Sequence, residues 1–434
     1  MSDGRLTEPE LEEPARAAPP RAAGLLGRVT VDLTPLRESP PFRRLFFGQS
    51  ISFVAGEIAW VAVPYQLYQL THSTLQVGLL SLTTLVPLLV APIVGGALAD
   101  ALDRRRLLLV SEIGFALVSV GLAVNASLAH PAVWALYVLD FLGTLVFGLG
   151  TPSMRSLLPR IVKEEQLVAA NALESLYSNF AAVAGPAAAG LIIAGVGLTG
   201  TYLIDVASFG ASLASIWLLP PLPAAPDAER ASIGSIVDGF RYVRRQPVVL
   251  GIFLVDTNAM IFGMPMALFP AIGAHFGGGS TTVGFLYAAP YAGAFVASIV
   301  SGWVSNVRRQ GLGVVIAAAA WGAALVAFGF ATTLWFALLM LALAGAADFV
   351  SAVLRSTIVL VATPDEMRGR VTGIEFTQVA AAPTLGNVEA GVVASLTSLR
   401  FSIVSGGVAC IAGCAVLALA IPALLRYDAK AAHA

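Results

Sequence analysis

Six carboxylic acids stand inside strongly apolar stretches of this chain: Glu57, Asp140, Asp205, Asp256, Asp348 and Glu389. An ionised carboxylate at the centre of a bilayer costs roughly 2.5–3.5 kcal/mol on insertion scales, so six of them are not incidental. The chemistry they offer is proton exchange, because a carboxyl withdrawn from water can hold a proton and release it when its surroundings change. Any single acid among them is also accounted for by hydrogen bonding within the packing. Five are candidates for carrying a coupling proton: Glu57, Asp256, Asp140, Asp348 and Glu389. Glu57, near the middle of the first apolar run, and Asp256, in the seventh, lead that set. The aromatics Trp60, Tyr65, Tyr68, Phe262 and Tyr291 could line a cavity beside them, and acids with aromatics suit a lipophilic, often cationic compound. Arg155 and Arg355 read as residues of helix ends, which leaves no basic group in mid-span.

Other chemistries lack their residues. A P-loop needs G-x-x-x-x-G-K-[ST], but the chain's lysines, Lys163 and Lys430, are followed by Glu and Ala. No histidine precedes a glutamate, which removes H-E-x-x-H. Cys410 and Cys414, four apart in an apolar run, read as two small residues on one helix face. No metal, no cofactor and no enzymatic reaction are expected.

The elements that must position the acids are helices. Of 434 residues 57% are hydrophobic and 12% charged, about half the usual charge of a soluble domain. Apolar windows of about 20 residues recur along the chain, each long enough to cross a ~30 Å hydrocarbon core. Twelve spans are predicted between residues 45 and 425, the fifth and sixth at 169–195 and 199–220. Of 25 Lys and Arg, 24 fall on one side of that topology and Arg400 alone on the other. The asymmetry puts both termini in the cytoplasm. The expected organisation is an arm at 1–44 without fixed structure, a six-helix bundle at 45–220, a cytoplasmic linker at 221–247, a second bundle at 248–425 and a tail at 426–434. Within the linker Ile233, Ile236, Val237, Phe240 and Val243 follow helical spacing, as in a helix lying on the membrane surface.

The halves repeat. Arg155-Ser156 and Arg355-Ser356 match at an offset of 200, and Glu174 matches Glu375 at 201. Gly96 and Asp100 align with Gly302 and Asn306 at 206. Such duplication suits a transporter whose site lies between the repeats, whereas a channel has no need of it. The loop GGALADALDRRRLLL concentrates charge at the end of the second span. Asp100 lies at the partially negative end of its helix, which disfavours it by ~0.3–1 kcal/mol unless a positive partner is supplied. Asp103 is placed to cap the next helix.

Gly96, Asp100, Arg104, Arg105 and Arg106 resemble motif A of the major facilitator superfamily, with Ala101 and Asp103 departing from it. The resemblance implies that Asp100 is a cytoplasmic latch favouring the outward-facing state. Gly185, Pro186 and Gly190 resemble the exporter-associated motif C. PFRRLFFGQSISFVAGEIAWVAVPYQLYQLTHSTLQVGLL and TPDEMRGRV are similar to the branch holding enterobactin exporters and bacterial drug exporters. The resemblance implies an all-α membrane protein of two pseudo-symmetric six-helix bundles in a bacterial inner membrane. It would be a monomer exchanging protons for a small amphipathic substrate, drug-like or siderophore-like, with no nucleic-acid partner.

Overall fold

The computed structural model describes residues 32–220 and 233–428. The expectation for residues 1–31, for 221–232 and for 429–434 lies outside the described residues. All the long elements are helices. They are α1 (Thr34–Glu38), α2 (Pro40–Thr71), α3 (Thr74–Ala101), α4 (Arg104–Ser127), α5 (Val133–Arg155), α6 (Leu158–Ile161) and α7 (Leu167–Trp217). After these come α8 (Ile233–Arg245), α9 (Pro247–Phe262), α10 (Phe269–His275), α11 (Gly279–Ile299), α12 (Gln310–Gly329), α13 (Leu334–Ala362), α14 (Asp365–Leu396), α15 (Leu399–Ala420) and α16 (Pro422–Arg426).

Helix starts follow side-chain caps. Ser39 accepts from the amide of Phe42, Ser73 from Gln76, Asp103 from Arg106 and Ser398 from Phe401. Each satisfies an amide that would otherwise face lipid or the interface unpaired. Two boundaries differ from the sequence reading. Residues 34–44, assigned to the arm, are mostly helical, because Ser39 and Pro40 start α2 five residues before the apolar run becomes continuous. In the linker, α8 rests on protein as well: Val243 is buried, Tyr242 donates to the Ala362 carbonyl at 2.9 Å, and Gly239 sits against Arg370 of α14. Phe240, expected on the same apolar stripe as Val243, is exposed.

Eleven helices among the described residues are long and apolar enough to cross a membrane. One of them is two crossings. Tyr177 stacks edge-on against Phe46 and Phe53 of α2, while Ser215 packs on Gly48 of the same helix. On a straight helix residues 177 and 215 would stand ~57 Å apart, so α7 must fold back. The reversal is at Gly197, whose φ of 72° and ψ of 178° break the helical run. An L side chain rarely adopts that conformation, and a space without neighbours surrounds the glycine.

The crossings sort into two bundles. In the first, α2 and α4 pack on α7 and α3 packs on α5; in the second, α11 and α12 pack on α13, α12 on α15 and α9 on α14. The bundles touch where α7 meets α11 and α3 meets α14. Both meetings are near one end. Ser280 Oγ donates to the Gly190 carbonyl at 3.0 Å, and Thr74 Oγ1 to the Gly391 carbonyl at 3.3 Å. At these places Gly284 lies against the Pro186 backbone and Gly78 against Asn387, too close for any side chain without a shift. This end carries the turns at 72–73, 197 and 397–398, and it is remote from the arginine-rich loops.

Candidate functional site

Between the bundles runs a row of charged and phenolic groups. It begins on α2 with Glu57, half-buried, which forms no hydrogen bond or ion pair with the described residues. Tyr291 of α11 is within electrostatic reach of both Glu57 and Asp348 of α13. Two turns along α13, on the same face, stands Arg355, 3.9 Å from Asp348. The guanidinium of Arg355 is paired directly with Asp256 of α9. Asp256 also accepts from Gln378 Nε2 of α14 at 2.7 Å, and Glu375 lies within electrostatic reach of Arg355. Three carboxylates therefore surround one arginine, and a fourth, Glu57, faces them from the other bundle.

Arg355 corrects the sequence reading. The sequence puts it at a helix end, but α13 runs on to Ala362, because TIVLVA is apolar and the first proline comes at Pro364. Its side chain is 12% exposed and that of Asp256 3%. Burying either ion alone would cost several kcal/mol, and the pair compensates that cost only while both members are charged. Asp256 thus has a counter-ion, whereas Glu57 has none among the described residues.

The other candidates lie elsewhere. Asp140 accepts from Thr83 Oγ1 at 2.8 Å inside the first bundle. Glu389 lines a small cavity with Phe262, Met264, Leu325 and Ser402 inside the second bundle. It shares a face of α14 with Gln378 but stands ~16 Å further along, so it does not join the row. Phe262 goes with it. Trp60 is three residues past Glu57 and meets Tyr287 edge-on at 5.1 Å. Tyr65 packs between the two bundles' apolar clusters.

The motif residues are also redistributed. The closely packed glycine of the GGALAD stretch is Gly95, against the Leu149 backbone, while Gly96 faces open space. Asp103 caps α4 through a 3.0 Å bond from the Arg106 amide. Arg104 is buried and near Asp100 and Arg160. Arg105 donates to the Trp217 carbonyl and lies 5.5 Å over the Trp217 ring, fixing the loop to the end of α7. Asp100 forms no hydrogen bond or ion pair with the described residues. Gly185 packs against the stem of Glu57, and Gly190 against Ser280 and Thr281. The small residues of motif C thus place α7 against the acid on one side and against the opposite bundle on the other.

Sequence reasoning missed Glu112, a buried acid in α4 that accepts from Gln49 at 3.1 Å. It stands only two turns after Arg104–Arg106, which disguised it as part of a polar helix start.

Two six-helix bundles with charged residues between them define a membrane transporter of the major facilitator fold. The chain belongs to the family of transmembrane secretion effectors, whose model matches residues 30–433. It is 32% identical over 348 residues to the enterobactin exporter of Shigella boydii serotype 18, covering 79% of this chain and 83% of that protein. In fold it is similar to a nucleoside transporter, with a TM-score of 0.69, 12% identity and coverage of 90% and 100%. It is likewise similar to a bacterial homolog of the human lysosomal transporter Spinster in an inward-facing, unoccupied conformation. That match has a TM-score of 0.65, 14% identity and coverage of 90% and 96%.

Proposed function

We propose that the chain is a proton-coupled exporter that moves a small amphipathic compound out of a bacterial cytoplasm by alternating access. The observation that carries this reading is the row from Glu57 through Tyr291 and Asp348 to the Asp256–Arg355 pair, because it spans both bundles. A carboxyl without a counter-ion on one bundle, opposite a paired arginine on the other, can take a proton in one state and return it in the other. Substrate and proton would then compete for the same negative field. If the distribution of Lys and Arg puts both termini in the cytoplasm, the glycine contacts at Gly78 and Gly190 join the bundles at the outer end, which supports an inward-facing state.

Three carboxylates around Arg355 and a fourth at Glu57, with Trp60 and Tyr287 nearby, favour a lipophilic cation. A second reading, an anionic siderophore-like substrate, is supported by the relative named above and by Arg155. That arginine is exposed, 5.7 Å from the Phe376 ring of the other bundle, and forms no ion pair with the described residues. The test is uptake into reconstituted vesicles under an imposed pH gradient, with cationic dyes, antibiotics and catecholate siderophores as probes. Gradient-driven accumulation of the cations is expected. Flux that ignores the gradient would contradict coupling, and accumulation of catecholates alone would select the second reading.

A further inference from the structure

A second set of buried acids lies wholly inside the first bundle, apart from the row just described. Helix α4 and the returning arm of α7 run antiparallel there, and two rungs join them. On one, Ser119 Oγ donates to Asp205 Oδ2 at 2.6 Å. On the other, the Gln49 side-chain amide of α2 reaches Glu112 Oε1 at 3.1 Å and Ser212 Oγ at 2.7 Å. The register is regular: the acid is on α4 in one rung and on α7 in the next, and the serine opposite it is exchanged likewise. Positions 112 and 119, and 205 and 212, are each two turns apart and so on one face.

Each acid keeps one oxygen without a partner. Glu112 Oε2 and Asp205 Oδ1 are buried and accept no hydrogen bond from the described residues, and the residues themselves are 9% and 2% exposed. Neither forms an ion pair with the described residues. The groups facing them are Gln49 from α2, Ser119 from α4 and Ser208 and Ser212 from α7. Tyr202 is one turn away and lies near both Asp205 and Asp140; its hydroxyl is taken by Gln66 at 2.8 Å. Two ionised carboxylates on neighbouring rungs, each with a buried oxygen that no described residue hydrogen-bonds and with no ion-pair partner among those residues, would be costly. A hydroxyl on each unpartnered oxygen removes the charge and leaves the observed bonds unchanged.

We propose that Glu112 and Asp205 form a proton-binding site of the first bundle, each held as a neutral carboxylic acid, separate from the cavity row. The site joins three helices, and its loss of protons would drive α4 from α7. Raising the pH therefore weakens this bundle, since the folded state then has protons to lose that the unfolded state has already lost.

Infrared spectroscopy of the full chain in lipid tests this. Wild type should show carboxylic C=O bands that shift in deuterated buffer, and Glu112→Gln and Asp205→Asn should each remove part of that intensity. Spectra identical to wild type would overturn the proposal. Should those variants fail to fold, Ser119→Ala retains both acids. It should move the Asp205 band to higher frequency, and an unmoved band would count against it. The probes also separate protons from sodium: a melting temperature that rises with sodium and not potassium, and only while both acids are present, would replace the proton site by a sodium site.

Discussion

Arg355 of α13 is paired with Asp256 of α9 in a contact that leaves only 12% and 3% of the two side chains exposed. Gln378 completes the Asp256 carboxylate from α14. Three helices of the second bundle are thus fastened at one buried charge pair, and Glu57 of the first lies within electrostatic reach of Tyr291, which is also near Asp348.

Breaking that pair from one side should be severe. Arg355→Met leaves Asp256 a buried charge with Gln378 alone, and the expected loss is about 3–5 kcal/mol. Asp256→Asn leaves Arg355 near Asp348 and Glu375 and should cost less. The double variant should recover much of the stability of Arg355→Met. Melting of the purified variants in detergent checks the order, and an additive double variant would mean that the pair is not a unit.

The glycine contacts at the charge-poor end should control which side opens. A Cβ at Gly78 would lie 2.8 Å from the Asn387 carbonyl oxygen, so Gly78→Val should hold α3 off α14 and populate the outward-open state. Transport should fall at least tenfold, with cysteine probes reacting faster near Thr74 and slower near Asp100. Unchanged labelling at both ends would show that this contact is no gate.

Asp100 and Asp103 should separate in their effects. Asp103→Ala removes the cap on α4 and should cost ~0.5–2 kcal/mol, whereas Asp103→Asn, still a competent cap, should stay within a few tenths. Asp100 forms no hydrogen bond or ion pair with the described residues and has only the nearby Arg104 within electrostatic reach, so Asp100→Asn should change the melting temperature little while lowering transport through a weakened outward-facing state. Equal losses of transport from both asparagine variants would mean the roles are divided wrongly.

Much of this architecture is legible in the sequence. Apolar length, proline and glycine position and the one-sided distribution of Lys and Arg are local properties, and they gave the twelve crossings, including the reversal near Gly197. Rotation and depth are less legible. The sequence places Arg355 at a helix end, yet the apolar TIVLVA carries the helix on beyond it. Glu389 and Gln378 share a helix face, but three turns of α14 separate their surroundings. Glu112 stands close to three arginines in the sequence, and only the returning arm of α7 buries it. The repeat likewise predicts equivalent Arg155 and Arg355, whereas one is exposed against Phe376 and the other is buried between acids.

The most direct test compares two fluxes in proteoliposomes carrying wild type or Glu57→Gln. One is accumulation of a transported cation driven by a pH gradient; the other is exchange of that cation across the membrane at equal pH. If Glu57 carries the coupling proton, the variant should lose gradient-driven accumulation by a factor of ten or more and retain exchange. Gradient-driven accumulation at the wild-type rate in Glu57→Gln would contradict the account.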